Sequence, residues 1–334
     1  MLKILMINKI NDEDNFIKMD YYLLSKYNKV YLLKDKPTIR NPINFVKQLI
    51  KYYKLIKLED IDLIYSWWCD NYFSTILSII TRKKLIYVAG GYDVACVPKL
   101  KYGAACNPFK KKVILFCLQN SDSILAVSDV VKKSIQSNFK INSNKIKVIH
   151  LDFDSGFWIN KKESRKYILT VAINENNKYF EQRHNIKGVD RFIELARKCP
   201  NFEFLLVGYD KKLKQRIFIP DNLKLIKKID NNKLLEVYNQ SKIYCQFSRI
   251  ESFGSALAES MLCGCIPVGT DAGNIPEVIE NSGVIFDKVI NEDIIYKIMT
   301  NKITFENPRN LIISKYINKR EVKLIKLLNK IKIN

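Results

Sequence analysis

Residues 248–277 read SRIESFGSALAESMLCGCIPVGTDAGNIPE. Two glutamates, Glu251 and Glu259, stand eight positions apart with Phe253, Gly254 and Ser255 between them. The apolar run from Ala256 to Ile266 is interrupted by Gly264 and closes on Pro267 and Gly269, while the preceding IYCQF (243–247) has the composition of a strand. The pattern predicts strand, short loop, helix over 255–263, and a second strand around Pro267 and Val268.

A Gly-Ser pair opening a helix leaves main-chain N–H groups unsatisfied at the positive end of the helix dipole, where a phosphate is favoured. Eight residues is slightly more than two helical turns, so Glu259 looks back along the helix towards its start. Carboxylates accept hydrogen bonds from sugar hydroxyls. An anion-binding helix start between two such carboxylates suits a nucleotide sugar. The plainer alternative is a surface helix whose first acid complements the dipole.

The spacing E-S-F-G-x4-E, followed by GCIPVGTDAGNIPEVI, resembles the E-x7-E motif of family-4 glycosyltransferases over residues 241–285. That resemblance implies a retaining enzyme of the GT-B fold: α/β, with two Rossmann-like parallel-sheet domains facing across a cleft. It implies that Glu259 holds the ribose, and that Glu251 with the N–H groups of Phe253, Gly254 and Ser255 holds sugar and phosphate. No metal and no cofactor is expected, the nucleotide sugar being the donor substrate.

Composition bounds the alternatives. The 334 residues suffice for two ordinary domains, and 47% hydrophobic content argues for a folded chain throughout. A net charge of +22 first suggests nucleic acid or anionic lipid. Residues 1–160 hold 25 Lys+Arg against 14 Asp+Glu, and residues 161–334 hold 31 against 20, so each half carries +11. An excess spread this evenly speaks against a nucleic-acid partner. The eight cysteines sit among apolar neighbours without the spacing of a zinc site. Met1 leads directly into the strand-like KILMI, and no run reaches ~18 apolar residues. These features fit a reducing cytoplasm.

In the first half, strands are expected over 2–8, 29–33, 62–66, 84–88 and 123–127, with a helix over 20–26. Where many GT-B enzymes carry a glycine-rich loop, this chain has NKINDEDN, without glycine. Residues 40–58, RNPINFVKQLIKYYKLIKL, carry five basic residues and no acid, with Lys47, Lys51 and Lys54 on one helical stripe. Such a helix either packs on the sheet as an ordinary surface helix or lies on an anionic membrane. The cluster WWCDNY (67–72) offers rings either to a sugar or to the core. After the fourth strand, Gly90 and Gly91 permit close approach to the backbone. The resemblance places a histidine-glycine pair with a nearby aspartate there, facing the donor sugar; here Gly90 and Gly91 stand in that place and Asp93 is the candidate acid. Asp152-Phe-Asp154 reads as a metal-binding D-x-D or, from its place at the end of the first half, as a linker.

The second half opens on the strand KYILTVAI. Lys187-Gly188-Val189-Asp190 opens an amphipathic helix bearing Phe192, Ile193, Leu195 and Ala196, and the strand EFLLVG follows. The resemblance places at this corner a lysine-glycine pair preceded by an arginine, which together hold the diphosphate. Lys187 matches the lysine, and Arg183, across a longer and irregular loop, is the candidate arginine. A cation is useful there because the leaving diphosphate gains charge in the transition state. Gly208 ends a strand where the family approaches the nucleotide, Lys228 stands near the loop that meets the base, and Glu277 matches a further family glutamate. The tail, 307–333, is basic and helical.

The alternation of strands and helices predicts parallel sheets whose ligands bind outside the carboxyl ends of the strands. The expected division is 1–158, on the acceptor side, and 159–310, on the donor side, with residues 311–334 packing back on the first domain. The expected activity is transfer of a sugar from a nucleotide-diphosphate donor to a saccharide or lipid-linked saccharide, as in polysaccharide assembly, with a peripheral membrane location and no nucleic acid. A non-catalytic GT-B subunit that binds sugar nucleotides, a sugar-nucleotide epimerase and a basic nucleic-acid-binding protein are the alternatives.

Overall fold

The computed structural model of the chain describes residues 1–7, 15–33, 37–172, 180–209, 218–286 and 291–333. It divides into two compact units, Met1–Asp152 with Asn318–Asn334, and Phe153–Ile317. Residues 8–14, where the sequence lacks the glycine-rich loop, lie outside the described residues, as does Asp210.

The first unit holds β1 (Lys3–Ile7), α1 (Asn15–Ser25), β2 (Lys29–Leu33), α2 (Pro42–Leu58), β3 (Leu63–Trp67), α3 (Tyr72–Thr81), β4 (Lys84–Ala89), α4 (Pro108–Gln119), β5 (Ser123–Ala126), α5 (Asp129–Phe139) and β6 (Ile146–Val148). All strand pairs are parallel, in the order β2-β1-β3-β4-β5-β6. A parallel sheet covered on both faces reads as a continuous apolar run. Accordingly Ile4–Ile7 and Leu63–Trp67 are buried without alternation. Helix α2 starts where Asn41 accepts from Asn44 N at 3.1 Å and Pro42 supplies a preset φ. Phe45 and Tyr52 anchor it edge-on against Phe73, with centroids 5.4 and 6.3 Å away.

A helix from the far end of the sequence, α13 (Lys319–Ile333), belongs to this unit and buries Leu324, Leu327 and Leu328. Its first turn carries Arg320, 1% exposed, which donates from Nη2 to Asp20 Oδ2 at 2.7 Å and from Nη1 to the Ile149 and His150 carbonyls at 2.7 and 3.0 Å. Asp20 also accepts from Tyr65 Oη at 2.6 Å and Trp67 Nε1 at 2.9 Å. Burial alone would lower the Arg320 pKa; the Asp20 carboxylate outweighs it and holds the guanidinium above its ordinary range.

The second unit holds β7 (Tyr167–Val171), α6 (Phe180–Ile186), α7 (Val189–Lys198), β8 (Glu203–Val207), β9 (Leu223–Ile226), α8 (Asn231–Gln240), β10 (Ser241–Gln246), α9 (Ser255–Leu262), β11 (Ile266–Thr270), α10 (Ile275–Ile279), β12 (Val284–Phe286), α11 (Glu292–Met299) and α12 (Pro308–Lys315). Its sheet is again parallel, in the order β12-β11-β10-β7-β8-β9. Helix α7 faces the core with Phe192, whose ring lies 5.5 Å from Phe204.

One expectation is corrected. Residues 180–186 before Lys187 are helical, not an irregular loop, because Phe180, His184 and Ile186 turn to the core and seed a helix there. Of the cysteines, Cys96 and Cys106 are half-exposed, their Sγ atoms 2.8 Å apart, while the other six are buried.

Candidate functional site

The second unit gathers most of the candidate residues around one corner. Lys187 lies between α6 and α7, its N–H donating to the Arg183 carbonyl at 2.9 Å. Gly188 then takes φ +65°, and a Cβ there would lie 1.9 Å from the Phe247 carbonyl oxygen, so only glycine lets the corner sit on the end of β10. Arg249 fixes the corner from the other side. It donates to Asp190 Oδ1 and Oδ2 at 2.8 and 2.6 Å and to the Asn185 carbonyl at 2.5 Å, and its N–H donates to the Ile186 carbonyl at 2.8 Å. Burial opposes ionisation of Asp190, and the Arg249 fork overcomes it, leaving the carboxyl below its ordinary range.

Held this way, Lys187 Nζ reaches Glu251 Oε2 at 2.9 Å. The same oxygen accepts from Gln246 Nε2 at 3.1 Å and Ser248 Oγ at 3.2 Å. The Glu251 main chain is pinned as well: its carbonyl accepts from Asn274 N at 3.1 Å, and a Cβ on Gly273 would lie 1.9 Å from it. Gln246, Ser248 and Arg249 carry no motif that marks them, and Gly273 lies in the motif stretch without being marked as a contact of Glu251; only the fold shows that these residues set Glu251 and Lys187.

Three residues beyond Glu251 the chain turns into α9. Gly254 takes φ +97° and caps the helix without a side chain. The first N–H groups of a helix have no partner within it, so the absence of a capping side chain suits this end to an incoming anion. The opposite end is closed by cations: Arg309 Nη1 donates to the Leu262 carbonyl at 2.6 Å, and Arg165 Nη2 donates to the Cys263 carbonyl. The Phe253 ring is buried against Tyr316 and Phe153, with centroids 5.2 and 5.7 Å away, which leaves its main chain as what it can offer a ligand. Ser255 opens the helix half-buried, and Glu259 lies one turn further in, 7% exposed. The buried phenol of Tyr238 feels the Glu259 charge; burial first, then that carboxylate, push its pKa up.

The remaining candidates of this unit sit nearby in sequence or along strand ends. Arg183 is exposed on α6, one turn before Lys187. Gly208 follows β8 at φ +97° and donates to the Ile226 carbonyl at 2.9 Å, and half-buried Lys228 lies two residues beyond the end of β9. Glu277 lies in α10, its carbonyl accepting from Lys315 Nζ at 2.7 Å.

In the first unit, Asp93 is 2% exposed, and both its oxygens hold main chain: Oδ1 accepts from Gly91 N at 2.8 Å and Oδ2 from Cys69 N at 2.9 Å. It therefore joins the loops after β3 and β4, and burial raises its pKa against those two hydrogen bonds. Gly90 makes room for a ring rather than standing open: a Cβ there would lie 2.4 Å from Trp68. Trp67 is core, while Trp68 is half-buried.

Two parallel α/β units with these topologies define the GT-B fold. A solved GT-B structure, Anabaena HepE in complex with UDP, superposes with a TM-score of 0.74 at 15% identity, covering 98% of this chain and 100% of that one. Residues 159–312 match the family model of glycosyl transferases group 1. The yeast Saccharomyces cerevisiae phosphatidylinositol N-acetylglucosaminyltransferase GPI3 subunit is 27% identical over 193 residues, 52% of this chain and 41% of its own length. The Bacillus anthracis N-acetyl-alpha-D-glucosaminyl L-malate synthase is 25% identical over 212 residues, 60% of this chain and 53% of its own length. The matches thus span about half the length of these relatives, 41% and 53%.

Proposed function

We propose that the protein is a retaining glycosyltransferase that moves a sugar from a nucleoside-diphosphate donor to a saccharide or lipid-linked saccharide acceptor, on the cytoplasmic side of a membrane. The observation that carries this reading is the Lys187–Glu251 pair beside the uncapped start of α9. A donor diphosphate arriving at that helix end gives Lys187 a stronger partner than Glu251. Lys187, with Arg183 on the preceding turn, then stabilises the charge that grows on the diphosphate as the C1–O bond to it breaks. Glu251, released from the lysine and still oriented by Gln246 and Ser248, accepts from the sugar hydroxyls. Glu259 takes the ribose, and Gly208 with Lys228 borders the base. Asp93 orders the Gly90–Gly91 loop on the acceptor side.

The new C1–O bond forms on the face that the diphosphate leaves, with no side chain assigned as a covalent nucleophile. Two cations and a helix start supply the electrostatics, so no metal is required. The activities of these two relatives support N-acetylglucosaminyl transfer, and the UDP in the HepE structure supports a uridine nucleotide. Eight free cysteines support a reducing compartment.

The test is thermal stabilisation by a panel of nucleoside diphosphates and their sugars, followed by turnover with and without a chelator. A ligand at 100 times its Kd adds about 2.7 kcal/mol, a shift of a few degrees. One nucleotide family should stabilise wild type and not Glu259→Ala. Stabilisation without turnover on any acceptor would leave the non-catalytic binding subunit; no stabilisation by any nucleotide overturns the donor site.

A further inference from the structure

Helix α2 is turned inside out along one edge. Phe45, Tyr52 and Ile56 face the core, as in any surface helix. The opposite stripe should then be polar. Instead it presents Ile43 at 74%, Val46 at 54% and Ile50 at 52% exposure, continued by Tyr53 and preceded by Ile39, at spacings of three and four residues. Beside this stripe run Lys47, Lys51, Lys54 and Lys57, all exposed, and no acidic residue occurs between 37 and 58.

The neighbouring helices repeat the pattern. Helix α3, packed on α2, buries Ser74, Thr75, Ser78 and Thr81 while Ile79 and Ile80 are 49% and 45% exposed. Helix α4, packed on α3, exposes Phe109 beside three consecutive lysines, 110–112.

We infer that this face of the first unit lies on an acidic phospholipid surface, with α2 in the plane of the interface. Its aliphatic stripe enters the headgroup boundary, and its lysines meet the phosphates. Two features select this occupant. An aliphatic stripe wants an apolar medium, whereas binding to a nucleic-acid backbone needs only cations, and base stacking needs aromatic rings. A second copy would set one acid-free lysine row against another across a two-fold axis, which is repulsive. Among the described residues no helix is long and apolar enough to cross a membrane. This inference is independent of the donor site: nucleotide stabilisation reads one, vesicle binding the other.

The experiment is co-sedimentation of the full chain with phosphatidylcholine vesicles and with equimolar phosphatidylcholine/phosphatidylglycerol vesicles. Two variants accompany it, Ile43→Ser with Ile50→Ser, and Lys47→Gln with Lys51→Gln and Lys54→Gln. All five side chains are exposed, so melting temperatures should match wild type. Wild type should bind the acidic vesicles and not the neutral ones, less tightly at high salt, and each variant should lose about tenfold or more in partitioning. Absence of binding to acidic vesicles overturns the inference. So does loss in the lysine variant with full binding in the isoleucine variant, which would reduce the face to diffuse charge. A wild-type dimer that the isoleucine variant converts to monomer, or duplex DNA binding lost in both variants while vesicles do not bind, also overturns it.

Discussion

The two units each contain an ion pair joining distant segments, and the pairs differ in one respect. Arg320 and Asp20 are 1% and 0% exposed at the side chain, and Asp20 is further committed to Tyr65 and Trp67. Lys187 and Glu251 are 39% and 13% exposed. A sealed pair cannot exchange partners without opening the core. A pair half in water costs little to break, and each member can be handed to a ligand. Burial, not the distance between the charges, separates an ion pair that holds a fold from one that is free to act.

Four experiments bear on that distinction, from the largest expected effect to the smallest. Asp20→Ala strands the Arg320 charge in the core and should destabilise the first unit by about 3–5 kcal/mol. Urea unfolding would read this, and Asp20→Leu with Arg320→Leu should recover much of the loss; equal losses in both would mean that the pair itself, not the orphaned charge, carries the stability. Lys187→Ala should lower turnover on the order of 10²–10³-fold yet change stability by less than about 1 kcal/mol. A large loss of melting temperature with unchanged kcat would reverse the roles of the two pairs.

Arg249→Lys tests how Lys187 is positioned. Lysine keeps the charge but loses the fork, so kcat should fall about tenfold, with nucleotide affinity changing less. Wild-type kcat in Arg249→Lys would show that the corner is held by Gly188 packing alone.

The smallest effect is on pH dependence. His184, buried beside Phe180 and Tyr209, is held below its ordinary value of 6.5 by burial, against the opposing pull of Asp190 and Glu181. The folded state therefore binds this proton less readily than the unfolded chain. Stability should be complete above about 6.5 and decline as pH falls towards the lower folded pKa. His184→Phe should flatten that part of the profile; an unchanged slope would assign it to other groups.

The second unit was the more legible in the sequence, for a physical reason. Its site is built from contiguous stretches, 187–190 and 251–259, in which a glycine at positive φ, a helix start and the functional side chain are close neighbours. Local spacing therefore carried the geometry. What spacing could not carry are the contacts between stretches. Arg249 reaching Asp190, Gln246 and Ser248 orienting Glu251, and Arg165 and Arg309 closing α9 all depend on which strand lies beside which. In the first unit the signal was mixed rather than absent. Helix α3 buries Phe73 and Leu77 together with serines and threonines that bond to Ser66, Tyr87 and neighbouring carbonyls, while Ile79 and Ile80 face outward. Its apolar residues therefore mark both sides of the helix. The outward stripe of α2 deceives in the same way, since apolar residues at helical spacing ordinarily mark the core.

The placement of Arg320 also imposes an order on the making of the molecule. Asp20 and its partner are 300 residues apart, and the whole of the second unit is encoded between them. At ~5–20 residues per second, ribosomal synthesis separates the two by about 15–60 s. During that interval the second unit, contiguous in sequence, has all it needs to fold, while the first holds a core carboxylate without its counter-ion. The half of the chain that is translated first is the half that is completed last.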